Sequence, residues 1–125
     1  EQPIINGDGS NSRDFTYIDN IIHINMLALE TLSPKAFNQI YNGAGGENTS
    51  VLELEQLITK KLSAYDNCIG CIAPIFGPNR IGDIKHSKAS ISKAKELLGY
   101  NPVCTFEDGL KKTIYWYLTN LKGKI

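Results

Sequence analysis

Two arginines are the residues of this chain best suited to bind an anionic ligand. Arg13 and Arg80 both lie in loops rich in glycine, whereas the other eleven cationic side chains are lysines. Arginine presents a rigid fork of donors that can bind two phosphate oxygens at once. This pattern predicts a clamp for a diphosphate group. The sequence leaves open a structural alternative, in which each arginine pairs with a neighbouring carboxylate, Asp14 or Asp83.

The residues around the first arginine predict two strands followed by a helix. Residues 3–5 and 15–18 are apolar and β-prone, and the polar residues 6–11 form a turn between them. Asp19 is the predicted N-cap of the first helix, which ends at Pro34. Apolar residues occur on most sides of this helix, which predicts that it is largely buried, in part against a surface outside the chain.

The middle of the chain predicts a second helix between two extended segments. A strand at residues 39–42 runs into a glycine-rich turn, and Ser50 with Glu53 forms a capping box that starts the helix. Residues 68–76 are apolar and predict a buried extended segment. This segment leads toward the loop that contains Arg80.

Two shorter helical patterns follow. Ser90 is the predicted N-cap of the first, which stops at Gly99. Thr105, with Asp108 three residues later, is the predicted start of the last helix. About four helices with short strands indicate an α/β fold, but the strands are too few for a complete doubly wound sheet.

The composition argues against several classes of function. Thirteen basic residues balance thirteen acidic ones, so no charge excess points to nucleic acid or to an anionic membrane. The longest apolar run is too short to span a bilayer. We therefore expect a cytoplasmic protein that binds neither nucleic acid nor membrane.

The cysteines do not predict a metal site. Cys68 and Cys71 form a C-x-x-C motif, a spacing that occurs in zinc and redox sites. A zinc site needs about four ligands, and Cys104, His23 and His86 do not have ligand-like spacing. The C-x-x-C pair is therefore predicted to be two inert thiols in the core or in a loop.

Several motifs occur together in a recognisable order. Residues 7–19 read G-D-G-x-x-x-R-D-F-x-Y-I-D, and residues 80–87 read R-x-G-D-I-x-H-S. L-L-G-Y-x-P at residues 97–102 and the closing pattern at residues 106–117 follow. In this order they resemble the C-terminal, substrate-binding portion of the extended short-chain dehydrogenases/reductases (SDRs) that act on nucleotide sugars. The resemblance covers nearly all of residues 1–125.

The resemblance implies roles for five residues. It assigns Arg13 and Arg80 to the diphosphate of a UDP-sugar, and Asp83 to a ribose or a nearby loop contact. Phe15 falls where an aromatic side chain lines the nucleotide site. Ser87 falls in the sugar pocket, where a small side chain leaves room for an N-acetyl group. The resemblance is closest to 4-epimerases that accept N-acetylated hexosamines.

The NAD-binding and catalytic motifs of that family are not found in this chain. Gly43, Gly45 and Gly46 resemble the start of a dinucleotide-binding loop, but Asn48 stands at the position of the last glycine. No tyrosine has a lysine four positions later, so the catalytic Tyr-x-x-x-Lys pair is absent. We expect a tight turn at these glycines, and neither catalytic nor cofactor-binding residues in this chain.

The expected protein is therefore the substrate-binding part of a larger enzyme. The resemblance implies a cytoplasmic, homodimeric, NAD-dependent 4-epimerase that interconverts UDP-GlcNAc and UDP-GalNAc. Its Rossmann domain, with NAD and the catalytic pair, would precede this chain, and the chain alone would be inactive. Related dehydratases and decarboxylases remain alternatives, as does a non-catalytic module that binds sugar nucleotides.

Overall fold

The computed structural model describes residues 2–121 and confirms a small α/β fold with four helices and few, short strands. The strands are β1 (Ile4–Asn6), β2 (Ser12–Arg13), β3 (Thr49–Ser50) and β4 (Ile75–Gly77). The α-helices are α1 (Ile18–Glu30), α2 (Val51–Ser63), α3 (Ser92–Leu98) and α4 (Phe106–Asn120). Short 3₁₀ turns lie at Pro34–Ala36 and Ile69–Cys71.

The strands form two separate pairs. β1 and β4 are parallel, with Ile5 opposite Phe76. β2 and β3 are antiparallel, and this pairing places Arg13 opposite Thr49 at the start of α2. Because each strand has only two or three residues, most of the loop backbone must find its hydrogen-bond partners elsewhere.

The core lies where α1, α3 and the loops beside them meet. Tyr100 is fully buried at its centre, at 0% exposure, and its hydroxyl donates a 2.8 Å hydrogen bond to the Ala44 carbonyl. Burial, reinforced by the negative charge of Asp14, raises the pKa of this hydroxyl. The other buried members of the cluster are small or aliphatic: Ile24, Ala36, Ala44, Ile91, Ala94 and Leu98.

Asn20 joins α1 to the loop before α4. Its side chain is 1% exposed, and its amide nitrogen donates to the Cys104 carbonyl at 2.8 Å. Its amide oxygen accepts from the backbone amides of Val103 and Cys104 at 2.8 and 2.9 Å. One side chain therefore satisfies three backbone groups that lie more than eighty residues away along the chain.

α4 packs closely on the start of α1 because it contains a glycine at the contact. A Cβ atom added to Gly109 would lie 2.5 Å from the Cβ of Tyr17. Lys112 of α4 also bonds Asp19 of α1 at 2.8 Å. Lys61 of α2 bonds Glu107 of α4 at the same distance, and this bond lowers the pKa of the Glu107 carboxyl.

Three of the predicted helix ends are confirmed. Ser50 and Glu53 form a reciprocal capping box at the start of α2. The hydroxyl of Thr105 accepts from the amide of Asp108 at 3.1 Å. Gly99 ends α3 in the left-handed conformation, with φ of 67°.

Two predicted caps are wrong. α1 begins two residues earlier than expected, with Tyr17 at the N-cap position, and Asp19 lies in its first turn, where it pairs with Lys112. α3 begins at Ser92 with Ile91 at the N-cap position, whereas the Ser90 hydroxyl donates to that of Ser92 at 3.3 Å. The Asp19 side chain thus bonds a residue of α4 and the Ser90 side chain bonds Ser92, so neither caps the helix that it was predicted to start.

Three predicted extended segments also differ from the structure. Residues 15–17 are irregular chain and residue 18 is the first of α1, whereas residues 39–42 form no strand within the described residues 2–121. Ile40 is 87% exposed, whereas Tyr41 packs against the core and its hydroxyl donates a 2.8 Å hydrogen bond to the Ala36 carbonyl. Residues 68–76 are mostly a 3₁₀ turn and loop, and only their last two residues enter β4.

The prediction that α1 is largely buried is wrong for this chain. Asn20 and Ile24 are its only fully buried residues in the part of the chain that the structure describes. An apolar face of α1 is instead exposed, and it consists of Ile18, Ile22, Met26 and Leu29. Leu29 is 79% exposed.

Asn20→Ala should lower the free energy of unfolding by roughly 2–4 kcal/mol, because it leaves buried backbone groups without partners. The measurement is urea unfolding followed by far-UV circular dichroism. Asn25→Ala is the matched control, since Asn25 lies in the same helix but is exposed and bonds only the local Ile21 carbonyl. Equal effects of the two substitutions would show that Asn20 does not connect α1 to α4.

Gly109→Ala should destabilise the fold even though alanine is the better helix former. Helix propensity alone would favour alanine by about 1 kcal/mol, whereas the new Cβ would overlap Tyr17 and force α1 and α4 apart. Thermal unfolding measures the net effect, and the exposed Lys111→Ala in the same helix is the control. A higher melting temperature for Gly109→Ala would contradict the close contact.

Candidate functional site

The two arginine-containing segments meet through their backbones. The amide of Ser12 donates to the Lys85 carbonyl at 2.8 Å, and the amide of Ser87 donates to the Ser12 carbonyl at 3.1 Å. The Ser12 hydroxyl lies 2.9 Å from Nδ1 of His86, and Ser12 is almost fully buried. Residues 7–19 and 80–87 are therefore held side by side, in a parallel bridge centred on Ser12.

An ion pair connects the same two segments. Nη2 of Arg13 lies 2.5 Å from Oδ1 of Asp83, and the Asn11 amide donates to Oδ2 of Asp83 at 2.6 Å. The other guanidinium nitrogen of Arg13 donates to the Ser12 carbonyl at 2.8 Å. The side chains of Arg13 and Asp83 are 31% and 30% exposed, so solvent screens the pair.

Asp14 has a different partner from the arginine beside it. Its two carboxylate oxygens accept from the backbone amides of Gly45 and Gly46 at 3.0 and 2.9 Å. Thr16 donates to the same carboxylate at 3.1 Å. Neither local pairing considered from sequence, Arg13 with Asp14 or Arg80 with Asp83, forms among the described residues. Arg13 instead pairs with Asp83, which is distant in sequence, and Asp14 anchors the glycine turn.

The glycine turn does not fit the diphosphate of a dinucleotide. The amides of Gly45 and Gly46 are bonded to Asp14, which is the kind of anion that a phosphate would replace. The following helix starts at a conventional capping box on Ser50. Gly46 has φ of 76°, and a Cβ there would lie 2.9 Å from Ile91, so its glycine is explained by the turn and the packing.

Phe15 lies at a cleft of about 670 Å³. Its ring stacks on Phe106, with ring centroids 5.5 Å apart and an interplanar angle of 29°. The remaining walls come from the loop around Gly45, the loop before α3 and the start of α4. Among the described residues that line this cleft, Phe15 is the only member of the predicted set.

The structure does not bring Arg80 into contact with Arg13. Arg80 lies in an exposed turn in which the Asp83 amide donates to the Arg80 carbonyl at 3.3 Å, with Gly82 at φ of 79°. Within residues 2–121, no carboxylate pairs with Arg80. Ser87 is exposed beside the Arg13 loop. The predicted set thus divides into three groups. Arg13, Asp83 and Ser87 lie at the bridge, Arg80 lies in the exposed turn before Asp83, and Phe15 lies at the cleft.

Sequence reasoning missed two cations and one amide near these residues. Lys88 follows Ser87 directly and lines the cleft together with Lys95. Asn11 was part of a polar turn with no assigned role, yet it contacts Asp83. A single lysine or asparagine carries no positional signal of its own, so only the folded chain could identify these side chains.

Neither a metal site nor a membrane span was found in the described residues. Across residues 2–121, no three metal-ligating side chains come together, and no helix is long and apolar enough to cross a bilayer. Cys68 and Cys71 are exposed in a turn, so the prediction that their segment is buried and extended is wrong. Cys104 is buried beside Asn20.

Solved structures of nucleotide-sugar 4-epimerases resemble this chain closely. UDP-glucose 4-epimerase from Thermotoga maritima, solved with UDP-glucose, matches 97% of the chain at 34% identity with a TM-score of 0.82. UDP-N-acetylglucosamine 4-epimerase from Methanobrevibacter ruminantium, in complex with UDP-N-acetylmuramic acid, matches 95% of the chain at 33% identity with a TM-score of 0.79. UDP-glucuronic acid 4-epimerase from Bacillus cereus, in complex with UDP-glucuronic acid and NAD, matches 95% of the chain at 36% identity with a TM-score of 0.77.

The match covers most of this chain but a minor part of each relative. The chain corresponds to 36%, 35% and 36% of those three structures, respectively. It likewise spans about a third of the length of the curated relatives that it matches. The family described as GDP-mannose 4,6 dehydratase matches residues 1–113. The chain therefore belongs to this family of extended short-chain dehydrogenases/reductases, whose similar members include nucleotide-sugar 4-epimerases.

Proposed function

We propose that residues 1–125 are the substrate-binding portion of an NAD-dependent UDP-sugar 4-epimerase. The observation that carries the proposal is the bridge between the two arginine-containing segments, where Arg13, Asp83 and Ser87 lie together. The similarity to three 4-epimerases supports it. The activity would belong to the whole protein, since the chain spans only about a third of such enzymes.

Arg13 and Arg80 are proposed to bind the diphosphate of the substrate. Arg13 already faces one anion, Asp83, so a diphosphate would replace one anionic partner with another. About a third of each side chain in this pair is exposed, which gives a ligand access. Arg80 lies three residues before Asp83 in an exposed turn and would approach the diphosphate from that side.

Asp83 would change partner when the diphosphate binds Arg13. The Asn11 amide contacts the second oxygen of the Asp83 carboxylate and would hold it in place during this exchange. The released oxygen could then accept a hydrogen bond from a ribose hydroxyl, the role that the resemblance assigns to Asp83. Ligand binding would thus give the guanidinium group a new anionic partner and leave the Asp83 carboxylate hydrogen-bonded, which limits the cost of breaking the ion pair.

Phe15 is proposed to line the nucleotide site. Its ring is half-buried against Phe106, and the cleft beside the two rings would provide the space for a nucleotide. Lys88 and Lys95 place two positive charges on the wall of this cleft. An aromatic wall with cations at its rim suits a ligand that combines a base with phosphates.

The chemistry at the sugar would require a second, N-terminal domain. Hydride transfer in such an enzyme belongs to NAD, which the glycine turn of this chain does not fit. The exposed apolar face of α1 and the exposed side chain of Ile40 are proposed to pack against that domain. The role of this chain would be to hold the diphosphate firmly while the sugar turns over, so that binding energy at a remote group positions the reacting carbon.

The proposed substrates are UDP-GlcNAc and UDP-GalNAc. Ser87 is exposed, and its backbone amide is fixed by Ser12, so its small side chain leaves space beside the bridge. A serine hydroxyl could also donate a hydrogen bond to an acetamide oxygen. One similar structure is a UDP-N-acetylglucosamine 4-epimerase, whereas the other two are named for UDP-glucose and UDP-glucuronic acid.

A dehydratase of nucleotide sugars is the second candidate. The observation that favours it is the name of the matching family, GDP-mannose 4,6 dehydratase. The two reactions differ in their products, because a dehydratase releases water and leaves a keto sugar, whereas a 4-epimerase yields an isomer of the same mass. Mass spectrometry of the product formed by the whole enzyme separates them directly.

Arg13→Ala in the whole enzyme should raise KM for the UDP-sugar by roughly 30-fold or more, because losing one partner of a charged hydrogen-bonded pair costs about 2–5 kcal/mol. Arg80→Ala should act in the same direction, and kcat should change less. Arg13→Lys keeps the charge but loses the fork, so its KM should lie between those of the wild type and Arg13→Ala. Steady-state kinetics provides the measurement.

The control for the arginine variants is Lys35→Ala, which removes an exposed cation from the turn at Pro34–Ala36, outside both arginine segments. Its KM should equal that of the wild type. If Arg13→Ala and Arg80→Ala both keep wild-type KM and kcat, the two arginines are structural and the diphosphate clamp is wrong.

Ser87→Tyr in the whole enzyme should abolish interconversion of UDP-GlcNAc and UDP-GalNAc while sparing that of UDP-glucose and UDP-galactose. The tyrosine ring would fill the space proposed for the acetyl group, which penalises only the larger substrates. Ser87→Ala should retain activity on both pairs. Equal loss by Ser87→Tyr on acetylated and plain substrates would indicate a damaged fold and contradict the steric role.

A further inference from the structure

Cys68 and Cys71 are brought together by a short turn after α2. Cys68 stands at the N-cap position of the 3₁₀ turn Ile69–Cys71, and Cys71 is its last residue. The Cys71 amide donates to the Cys68 carbonyl at 3.2 Å. A hydrogen bond between residues i and i+3 keeps their α-carbons within about 7 Å, close to the range of about 4.4–6.8 Å that a disulfide spans.

The side chain of Cys71 is directed back across this turn. Its sulfur lies 3.9 Å from the carbonyl oxygen of Asn67, the residue bonded directly to Cys68. Both Cys68 and Cys71 are exposed, whereas Cys104 is buried. The pair is therefore accessible to small reagents, and each thiol has the other as its nearest cysteine along the chain.

The turn is held in place by contacts outside the cysteines. The Cys68 amide donates to the carboxylate of Asp66 at 2.9 Å, and the Ile69 amide donates to the Asp66 carbonyl at 3.1 Å. Gly70 lies against the end of α2, where an added Cβ would be 3.3 Å from the Cβ of Ser63. This anchoring restricts the conformations of the turn and keeps the two cysteines close.

We propose that Cys68 and Cys71 form a dithiol site that closes reversibly to an intramolecular disulfide by exchange with a low-molecular-weight disulfide such as oxidised glutathione. A metal cage is a weaker assignment, because in the described residues no third metal-ligating side chain joins the pair. The site lies outside the residues proposed to bind the UDP-sugar, so it does not depend on that function.

The exchange proceeds in two balanced steps. The thiolate of one cysteine attacks a sulfur of oxidised glutathione, which forms a mixed disulfide and releases one glutathione thiolate. The thiolate of the other cysteine then attacks the protein sulfur, forms the Cys68–Cys71 bond and releases the second glutathione. The protein loses two electrons and two protons, and one oxidised glutathione becomes two thiols.

The test is thiol trapping and mass spectrometry of the reduced, folded full chain after equilibration with reduced and oxidised glutathione. We expect a product that lacks two hydrogens, with the bond in the peptide containing Cys68 and Cys71 and with Cys104 still reduced. Cys68→Ser and Cys71→Ser should each instead retain one glutathione on the remaining cysteine. Cys104→Ser is the matched control and should behave like the parent chain.

The contribution of the fold is measured by repeating the equilibration in denaturant. The anchored turn should raise the effective concentration of one thiol near the other, so the equilibrium constant for closure should be about ten-fold higher in the folded chain. The proposal is overturned if the folded parent chain accumulates stable glutathione adducts at these cysteines, if the pair does not react, or if closure is equally favourable in denaturant.

Discussion

The fold depends on side chains that supply hydrogen bonds to loop backbone, and Asn20 is the clearest case. With strands of two or three residues, the sheet pairs satisfy little of the backbone, and a buried loop amide without a partner is costly. Asn20 satisfies three such groups before α4, and Asp14 satisfies two in the glycine turn. The Tyr100 hydroxyl adds a bond to Ala44 at the centre of the core.

These polar anchors also determine the geometry of the candidate site. Asp14 is committed to the glycine turn, and Arg13, its neighbour in sequence, points away toward Asp83. The bridge through Ser12 then fixes the backbone on which Arg13 and Ser87 stand. The structural carboxylate of Asp14 and the guanidinium group of Arg13, which is proposed to bind the diphosphate, thus belong to adjacent residues, because successive side chains of an extended segment point to opposite faces.

The apolar face of α1 is exposed to solvent, although it consists of four large apolar side chains. Large aliphatic side chains on one helix are seldom left to water without a reason, since their burial contributes about 1.5–3 kcal/mol each. The chain spans about a third of the related enzymes, which is consistent with a surface shared with another part of the protein. A surface shared with another part of the protein would also explain residues 39–42, which have a strand-like pattern but pair with no strand among residues 2–121.

The sequence by itself determined the features that depend on neighbouring residues. The caps at Ser50 and Thr105, the glycine stop at Gly99, the four helices and the family motifs around both arginines were all readable, because each is an interaction or pattern within a few residues. The α/β class followed from these elements. The sequence also placed Arg13 beside Asp14, but it did not show that Arg13 pairs with Asp83.

Only the tertiary structure decided the pairings between distant residues. Arg13 pairs with Asp83, which lies seventy residues away along the chain. Asp19 pairs with Lys112 and does not cap α1. Most of residues 68–76 form an exposed turn and loop, and residues 39–42 pair with no strand among residues 2–121. The physical reason is that strand pairing and ion pairs depend on which surfaces meet after folding, and local propensity carries no information about a partner far along the chain.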